Sequence, residues 1–228
     1  MPRGAGLTRV TIVEDHDLFA EALELAISLQ GHRVQRVSAP PHGQSLPTLL
    51  QAIRRQQPEV VLLDLDLGAT DGTQLVAALT EEGVFVIVLS GTEDSARLGH
   101  CLALGARAVL RKSADLNSIV SAIRCVTTGQ PAMDREERER LLACYTHEYR
   151  RNEEIRVALA SLSRREAEVL GELMDGIPVP DIARTSFVSE ATVRTQVKAI
   201  RAKLGVSSQI AAVGAARRAR WQPPPRSR

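Results

Sequence analysis

The 228-residue sequence has few aromatic side chains, few cysteines and no long hydrophobic runs. Aromatic residues make up 3% of the chain against 44% hydrophobic residues, so any core must be mainly aliphatic. The three cysteines, Cys101, Cys125 and Cys144, lie 24 and 19 residues apart, which fits neither a disulfide framework nor zinc-ligand spacing. The longest apolar runs, such as residues 84–89, fall far short of the ~20 residues that span a bilayer.

The amino terminus also lacks a recognisable targeting signal. Residues 1–6 carry no apolar stretch of the kind found in secretory signals, and the chain runs from there into a strand-like segment. We therefore expect a cytoplasmic protein that has no membrane partner.

Charge is distributed unevenly along the chain. Residues 1–133 hold 11 Lys or Arg against 14 Asp or Glu, whereas residues 162–228 hold 12 against 6. The length suits one large domain or two modest ones, at roughly 100 to 200 residues per domain. The contrast in charge favours two domains with different partners, and nucleic acid is a candidate partner for the basic one.

The first half of the chain repeats a strand and a helix five times. Short β-branched runs start roughly every 25 residues, and apolar residues recur at helical spacing between them. Runs that are apolar at consecutive positions are typical of strands covered on both faces, which indicates a parallel α/β sheet. The five runs are residues 10–13, 33–37, 60–63, 84–89 and 107–110.

Reactive side chains follow four of the five predicted strands. They are Glu14 and Asp15 after the first strand, Asp64 after the third, Ser90 after the fourth and Lys112 after the fifth. Because ligands of open parallel sheets bind outside the carboxyl ends of the strands, these residues should converge on one rim. Clustered carboxylates repel unless a cation intervenes, and hard oxygen ligands suit Mg²⁺. A carboxylate beside Mg²⁺ can attack a phosphoryl group, which an ammonium and a hydroxyl can then hold.

Residues 8–128 resemble the receiver domain of bacterial response regulators. The matching segments are VEDH at 13–16, LLDLDLGATDG at 62–72, VIVLSG at 86–91, and GA at 105–106 followed by Lys112. The resemblance implies a flavodoxin-like fold in which Asp64 is phosphorylated and Lys112 and Ser90 contact the phosphoryl group. It also implies an Mg²⁺ cofactor whose ligands are Glu14, Asp15, Asp64 and the backbone carbonyl of Asp66.

Two departures from the receiver pattern leave alternatives open. Val109 stands where an aromatic residue is usual three places before the lysine, and Gly68 stands where a Pro is common. One alternative is a phosphorylation-independent regulator whose acidic site is retained but uncoupled from output. Another is a haloacid-dehalogenase-like phosphatase, because Asp64-x-Asp66 after a strand resembles that group's motif. The phosphatase nucleophile normally follows the first strand, whereas Asp64 follows the third.

The last quarter of the chain shows helices without strands between them. Ser163 and Glu166 have the spacing of a capping box at the start of one helix. A second, short helix is predicted for residues 179–185, and Ser189 can cap a third.

The third of these helices is the candidate for contact with nucleic acid. Apolar residues recur at i, i+4, i+7 and i+11 from Val193, so this stripe should face a core. The opposite face carries Arg194, Thr195 and Lys198 with small residues between them. Such a face can enter a major groove and reach phosphates or base edges. A solvated amphipathic helix is the alternative when this helix is considered alone.

Residues 162–217 resemble the LuxR-type helix-turn-helix found in response regulators of the NarL/FixJ group. The matching segments include LSRRE at 162–166, EVL at 168–170, IA at 182–183, TVRT at 192–195 and KLGV at 203–206. The resemblance implies a transcriptional regulator, not an enzyme, that binds DNA, is phosphorylated by a histidine kinase and forms a homodimer when active. RNA polymerase is a further partner that it implies. The expected DNA-binding residues are Thr192, Arg194, Thr195, Lys198 and Arg201.

The predicted fold is an α/β receiver domain with a five-stranded parallel sheet, followed by an all-α helix-turn-helix domain. We place the receiver at residues 1–130, a charged helical linker at 131–160, the helix-turn-helix at 161–219 and a disordered, basic, Pro-rich tail at 220–228. A partly packed linking helix is the favoured interpretation of 131–160, and a dimerising or signal-transmitting helix is the alternative. The combined prediction is a DNA-binding response regulator whose dimerisation and DNA binding are controlled by phosphorylation of Asp64.

Overall fold

The computed structural model describes residues 7–38, 45–68 and 70–223. The chain divides into two compact units, Met1–Thr146 and His147–Arg228. Within the described residues, no helix is both long enough and apolar enough to cross a membrane.

The first unit is built around a parallel sheet of five strands. The parallel sheet expected from the consecutive apolar runs is confirmed. Its strands are β1 (Arg9–Glu14), β2 (Arg33–Ser38), β3 (Val60–Asp64), β6 (Phe85–Ser90) and β7 (Ala108–Arg111).

Helices cover both faces of this sheet. Alternate residues of the central strands enter two separate cores, so that Val10 and Ile12 pack in one core while Val13 packs in the other, on the opposite face. Burial on both faces explains why the strands are apolar at consecutive positions. The helices are α1 (Asp17–Leu29), α2 (Leu46–Arg55), α3 (Thr73–Glu81), α4 (Ser95–Ala103) and α5 (Leu116–Thr127).

The strands lie in the order β2-β1-β3-β6-β7, which places a topological switch between β1 and β3. The connection that leaves the carboxyl end of β1 runs to β2 on one side, whereas the connection that leaves β3 runs to β6 on the other side. This geometry opens a crevice at the carboxyl ends of β1 and β3, which is where open α/β sheets bind ligands.

A small antiparallel hairpin follows Asp64 and was not expected from the sequence. Its strands are β4 (Asp66–Leu67) and β5 (Thr70–Asp71), and Ala69 lies outside the described residues. Gly72 closes the hairpin by donating its N–H to the Leu65 carbonyl at 2.9 Å. A Cβ at Gly72 would overlap the Asp64 carbonyl, so glycine lets the hairpin pack directly against the end of β3.

A single 26-residue helix, α6 (Arg135–Ala160), begins in the first unit and ends in the second. The Asp134 carboxylate accepts the Glu137 N–H at 3.0 Å and so caps the helix start. Leu141 belongs to a core of the first unit, whereas Ile155 and Leu159 belong to the core of the second.

In the described residues of the second unit, all regular secondary structure is helical, as expected. Its core is aliphatic and includes the stripe that begins at Val193 on α9. Ser163 and Glu166 form the predicted capping box, and the Ser189 hydroxyl caps α9 by accepting the Thr192 N–H at 3.1 Å. The helices after α6 are α7 (Arg164–Met174), α8 (Val179–Thr185), α9 (Glu190–Lys203) and α10 (Gln209–Arg218).

Near its start, the segment predicted as a disordered tail, residues 220–228, contacts the core of the second unit. The Trp221 side chain packs against the core of the second unit, and its backbone N–H donates to the Ala216 carbonyl at 3.0 Å. Burying part of an indole ring favours order at this position, an effect that the Pro-rich composition concealed. Residues 224–228 lie outside the described residues.

Glu166 connects the start of α7 with the end of α9. Its Oε2 accepts the Ser163 N–H at 2.6 Å and the Lys203 ammonium at 2.6 Å. Burial alone would raise the pKa of Glu166, but the bonds from Lys203 and Ser163 outweigh it and the pKa is lowered. The ionised carboxylate therefore stabilises the folded unit above its ordinary pKa of 4.5, and this stabilisation is lost as the pH falls through the folded-state value.

Replacing Glu166 with Gln should lower the free energy of unfolding of the second unit by about 2 kcal/mol at pH 7, because a charged hydrogen bond to Lys203 is lost. The difference from wild type should shrink as the pH falls below the ordinary Glu pKa of 4.5 and through the lower folded-state value. Urea unfolding followed by the fluorescence of Trp221, the single tryptophan, measures this unit. The matched control is Glu168→Gln, which removes only same-helix pairs with Arg164 and Arg165. Equal losses for the two variants, or a difference independent of pH, would contradict the assignment.

Candidate functional site

Acidic side chains converge at the carboxyl ends of β1 and β3. Glu14 ends β1 and Asp64 ends β3, and the register pairs Val13 with Leu63, so the two carboxylates lie side by side. One ligand atom from each of Glu14, Asp15, His16 and Asp64 lies within 4.8 Å of the others. The structure therefore brings together the three carboxylates that the strand ends indicated.

Lys112 completes this cluster from the end of β7. Its ammonium donates to Glu14 Oε1 at 2.8 Å and to Asp64 Oδ2 at 2.7 Å, so one cation bridges two carboxylates. The Asp64 side chain is fully buried and that of Glu14 is 2% exposed, whereas the Lys112 side chain is 22% exposed. Lys112 is therefore the more exposed partner in each of its two ion pairs.

The charges in the cluster shift several pKa values. Burial raises the pKa of Asp64, and hydrogen bonds from Lys112 and the Asp66 N–H offset only part of that increase. Burial acts to lower the pKa of Lys112, but its bonds to Asp64 and Glu14 outweigh burial and raise it. The ammonium therefore keeps its proton at neutral pH and places a positive charge against the Glu14 and Asp64 carboxylates.

His16 is a member of the cluster that sequence reasoning overlooked. Its Nδ1 lies 3.0 Å from Glu14 Oε1 and 2.7 Å from Asp15 Oδ1. The hydrogen bond with Glu14, followed by the charge of Asp15, raises the pKa of His16. Its position directly after the acidic pair was the available signal.

The donor set fits a divalent cation. Glu14 Oε2 is buried and has no hydrogen-bond partner among the described residues, which leaves a carboxylate oxygen available inside the cluster. Carboxylate and carbonyl oxygens are the ligands that Mg²⁺ prefers.

Ser90 and Asp66 lie on the same rim but make different contacts. Ser90 ends β6, and its hydroxyl accepts the Thr92 N–H at 3.2 Å while its carbonyl accepts the Lys112 N–H at 3.0 Å. The Asp66 N–H donates to Asp64 Oδ1 at 3.2 Å. The Asp66 carboxylate is 60% exposed and pairs with Arg97 of α4 at 2.7 Å. The sequence offered no signal for Arg97, which is 31 positions away from Asp66.

The basic face of α9 in the second unit is exposed as the helical spacing indicated. Thr192, Arg194, Thr195 and Lys198 are all exposed. Arg194 forms a pair with Glu190 at 3.0 Å within the same helix, which is an exposed and therefore weak contact. Arg201 differs from these four, because it is partly buried and its guanidinium donates to the Ser207 carbonyl.

Comparisons with known proteins match both parts of the chain. The family described as response regulator receiver domain matches residues 10–124, and that described as bacterial regulatory proteins, luxR family, matches residues 160–216. A probable transcriptional regulatory protein NarL of Mycobacterium tuberculosis is 33% identical over 216 residues, covering 93% of this chain and 94% of the relative. The transcriptional regulatory protein DegU of Brevibacillus brevis is 25% identical over 218 residues, covering 90% and 91% of the two chains.

A solved structure agrees with these matches. The response regulator ChrA of a heme-sensing two-component system is 27% identical, with a TM-score of 0.51 over 94% of this chain and 98% of that chain. The receiver match alone spans half of the sequence, and the relatives align along nearly their whole length. The chain therefore belongs to the DNA-binding response regulators, in which a receiver domain is joined to a LuxR-type helix-turn-helix domain.

Proposed function

We propose that Asp64 accepts a phosphoryl group from a histidine kinase and that this controls dimerisation and DNA binding through α9. The direct contact of Lys112 with buried Asp64, inside an acidic cluster, is the observation that supports the proposal most strongly. An oxygen of Asp64 attacks the phosphorus of a phosphohistidine, the P–N bond breaks, and the imidazole leaves with the electron pair and takes up a proton.

Mg²⁺ would be held by Glu14, Asp15, Asp64 and the Asp66 carbonyl. When bound, the ion would neutralise charge on the phosphoryl oxygens. The partnerless Glu14 Oε2 supports this assignment.

Lys112 and Ser90 would hold the transferred group. The Lys112 ammonium already contacts Asp64 Oδ2 at 2.7 Å, so it lies beside the position at which a phosphoryl group would be attached. It can then pair with a phosphoryl oxygen, because its high pKa keeps it charged. The Ser90 hydroxyl can donate to a second phosphoryl oxygen from the end of the adjacent strand.

In the second unit, α9 would enter the major groove. Arg194 and Lys198 would contact phosphates or base edges, with Thr192 and Thr195 beside them. We retain Arg201 as a proposed DNA contact that would first have to leave the Ser207 carbonyl. A homodimer bound to DNA in the cytoplasm, with RNA polymerase as a further partner, completes the proposal.

The second candidate is a regulator that does not respond to phosphorylation. Val109 occupies the place of the family's usual aromatic residue, and it is partly buried against the core beside α4. A small aliphatic side chain there cannot exchange between exposed and buried positions as a large ring can. A phosphatase is disfavoured, because the relatives are transcriptional regulators and Asp64 ends β3 rather than β1.

Asp64→Asn should abolish covalent labelling by ³²P-acetyl phosphate in Mg²⁺, since the amide cannot attack phosphorus. Its urea midpoint should be no lower than that of wild type, because burial already penalises the ionised carboxylate, as its raised pKa shows. The control Asp115→Asn changes an exposed carboxylate after β7 and should label normally. Labelling of folded Asp64→Asn at the wild-type level would refute the acceptor assignment.

Arg194→Ala and Lys198→Ala should each weaken binding to a random-sequence duplex and reduce the slope of log K against log salt by about 1. Fluorescence anisotropy over a salt series measures both quantities. Arg156→Ala removes the same charge from α6 and should leave the slope unchanged. An unchanged slope in both α9 variants would contradict the proposal that α9 contacts DNA.

The two candidates differ in their response to beryllofluoride, a mimic of the phosphoryl group. Phosphorylation control predicts that beryllofluoride with Mg²⁺ raises the dimer fraction in sedimentation and the affinity for a duplex selected from a random pool by the full chain. Asp64→Asn should respond in neither assay. Saturation of the wild-type pocket with no change in either quantity would instead favour the phosphorylation-independent regulator.

A further inference from the structure

Arg97 makes three contacts with one short stretch of chain. From α4, its Nη1 donates to Asp66 Oδ1 at 2.7 Å, and its Nη2 donates to the Leu65 carbonyl at 3.0 Å and to Asp71 Oδ1 at 2.9 Å. The two carboxylates lie on opposite strands of the β4–β5 hairpin and the carbonyl lies just before it. One planar guanidinium thus fixes both ends of the hairpin, a task that suits its rigid fork of donors.

These contacts fix the position of the hairpin relative to the cluster of Glu14, Asp15 and Asp64. Residue 65 directly follows Asp64, and the Asp66 N–H already donates to the Asp64 carboxylate. Arg97 holds the Asp66 carboxylate toward α4, so this fourth acid is kept apart from the Glu14, Asp15 and Asp64 cluster. The Asp66 backbone remains next to Asp64.

Burial and the pKa of Asp71 indicate that Arg97 binds the hairpin carboxylates strongly. The Arg97 side chain is only 26% exposed. Burial acts to raise the pKa of Asp71, yet hydrogen bonds from Arg97 and Thr73 outweigh it and the pKa is lowered. The pair is therefore ionised at neutral pH.

Gly99 and His100, which follow closely after Arg97 on α4, contact the first part of α6. At Gly99 a Cβ would overlap the Leu141 carbonyl, so glycine lets the two helices touch through their backbones. The His100 ring stacks on Tyr145 with centroids 4.9 Å apart and planes 12° apart. Helix α4 consequently connects the hairpin, through Arg97, with residues 141–145 of α6.

We propose that Arg97 is a positioning residue of the phosphoryl-acceptor pocket, which fixes the hairpin carrying the Asp66 carbonyl and links pocket occupancy to the contact between α4 and α6. The inference rests on the proposed function, since it concerns the same Mg²⁺ and phosphoryl site. It supplies a route to α6 that does not need an aromatic residue at position 109.

The direction of the change in Mg²⁺ affinity distinguishes a positioning role of Arg97 from an effect of its charge alone. Arg97→Gln removes a cation from the receiver, so electrostatics alone would strengthen Mg²⁺ binding. Loss of positioning should weaken it by about tenfold, the lower end of the effect found for residues that orient metal ligands. Isothermal titration of the full chain with MgCl₂ measures the affinity. Arg97→Lys keeps the charge but bonds fewer acceptors at once, and should recover part of the affinity.

Arg54→Gln is the matched control. Arg54 also binds a carboxylate, that of Glu82, on the same unit but away from the pocket. This variant should bind Mg²⁺ like wild type, apart from any small strengthening from lost charge. Equal affinities for wild type and Arg97→Gln, stronger binding by Arg97→Gln, or equal weakening in Arg54→Gln would each overturn the positioning role.

Hydrogen exchange tests the link to α6. Saturating beryllofluoride with Mg²⁺ should change amide exchange in residues 135–146 of wild type and of Arg54→Gln, but not of Arg97→Gln. A full change in Arg97→Gln would overturn the link. If wild type binds Mg²⁺ and is labelled on Asp64 while the Arg97 variants match it, only this inference fails. If wild type does neither, the proposed function fails with it.

Discussion

The receiver pocket depends on one ammonium that is shared by two buried carboxylates. Glu14 and Asp64 both accept bonds from Lys112, and neither side chain has appreciable access to water. Removing the shared ammonium would leave two buried carboxylates without their cation, so the positions of Glu14 and Asp64 depend on Lys112. Any group that binds at Asp64 must therefore redistribute the contacts of Lys112. This is why chemistry at one carboxylate can alter the surrounding rim.

The helix that joins the units also takes part in both of their cores. Leu141 packs in the first unit and Ile155 in the second, 14 residues apart on α6. The charged composition of this segment conceals these buried positions, because most of its surface carries Arg and Glu. In the first unit, α6 is held at the same helix that binds the hairpin next to Asp64.

In the second unit, several basic side chains bind polar groups of the protein itself. Lys203 is bound to Glu166, Arg201 donates to the Ser207 carbonyl, and Arg217 donates to the Met174 carbonyl. These cations satisfy polar groups at helix ends and so stabilise the fold. Arg194 and Lys198 project from the exposed face of α9 and are better placed to neutralise phosphates.

Local patterns in the sequence determined the sheet, its helices, the capping box at Ser163 and the exposed face of α9, because periodicity and caps depend on residues close together in the chain. The strand ends also indicated the meeting of Glu14, Asp64 and Lys112, since parallel strands present their carboxyl ends at one edge. Only the tertiary structure decided the hairpin after Asp64, whose two-residue strands are too short to show a period. It also decided the contacts of Arg97 with the hairpin and the contact of Arg201 with the Ser207 carbonyl. These contacts depend on how far a side chain reaches from one element to another and on which acceptors remain unpaired there.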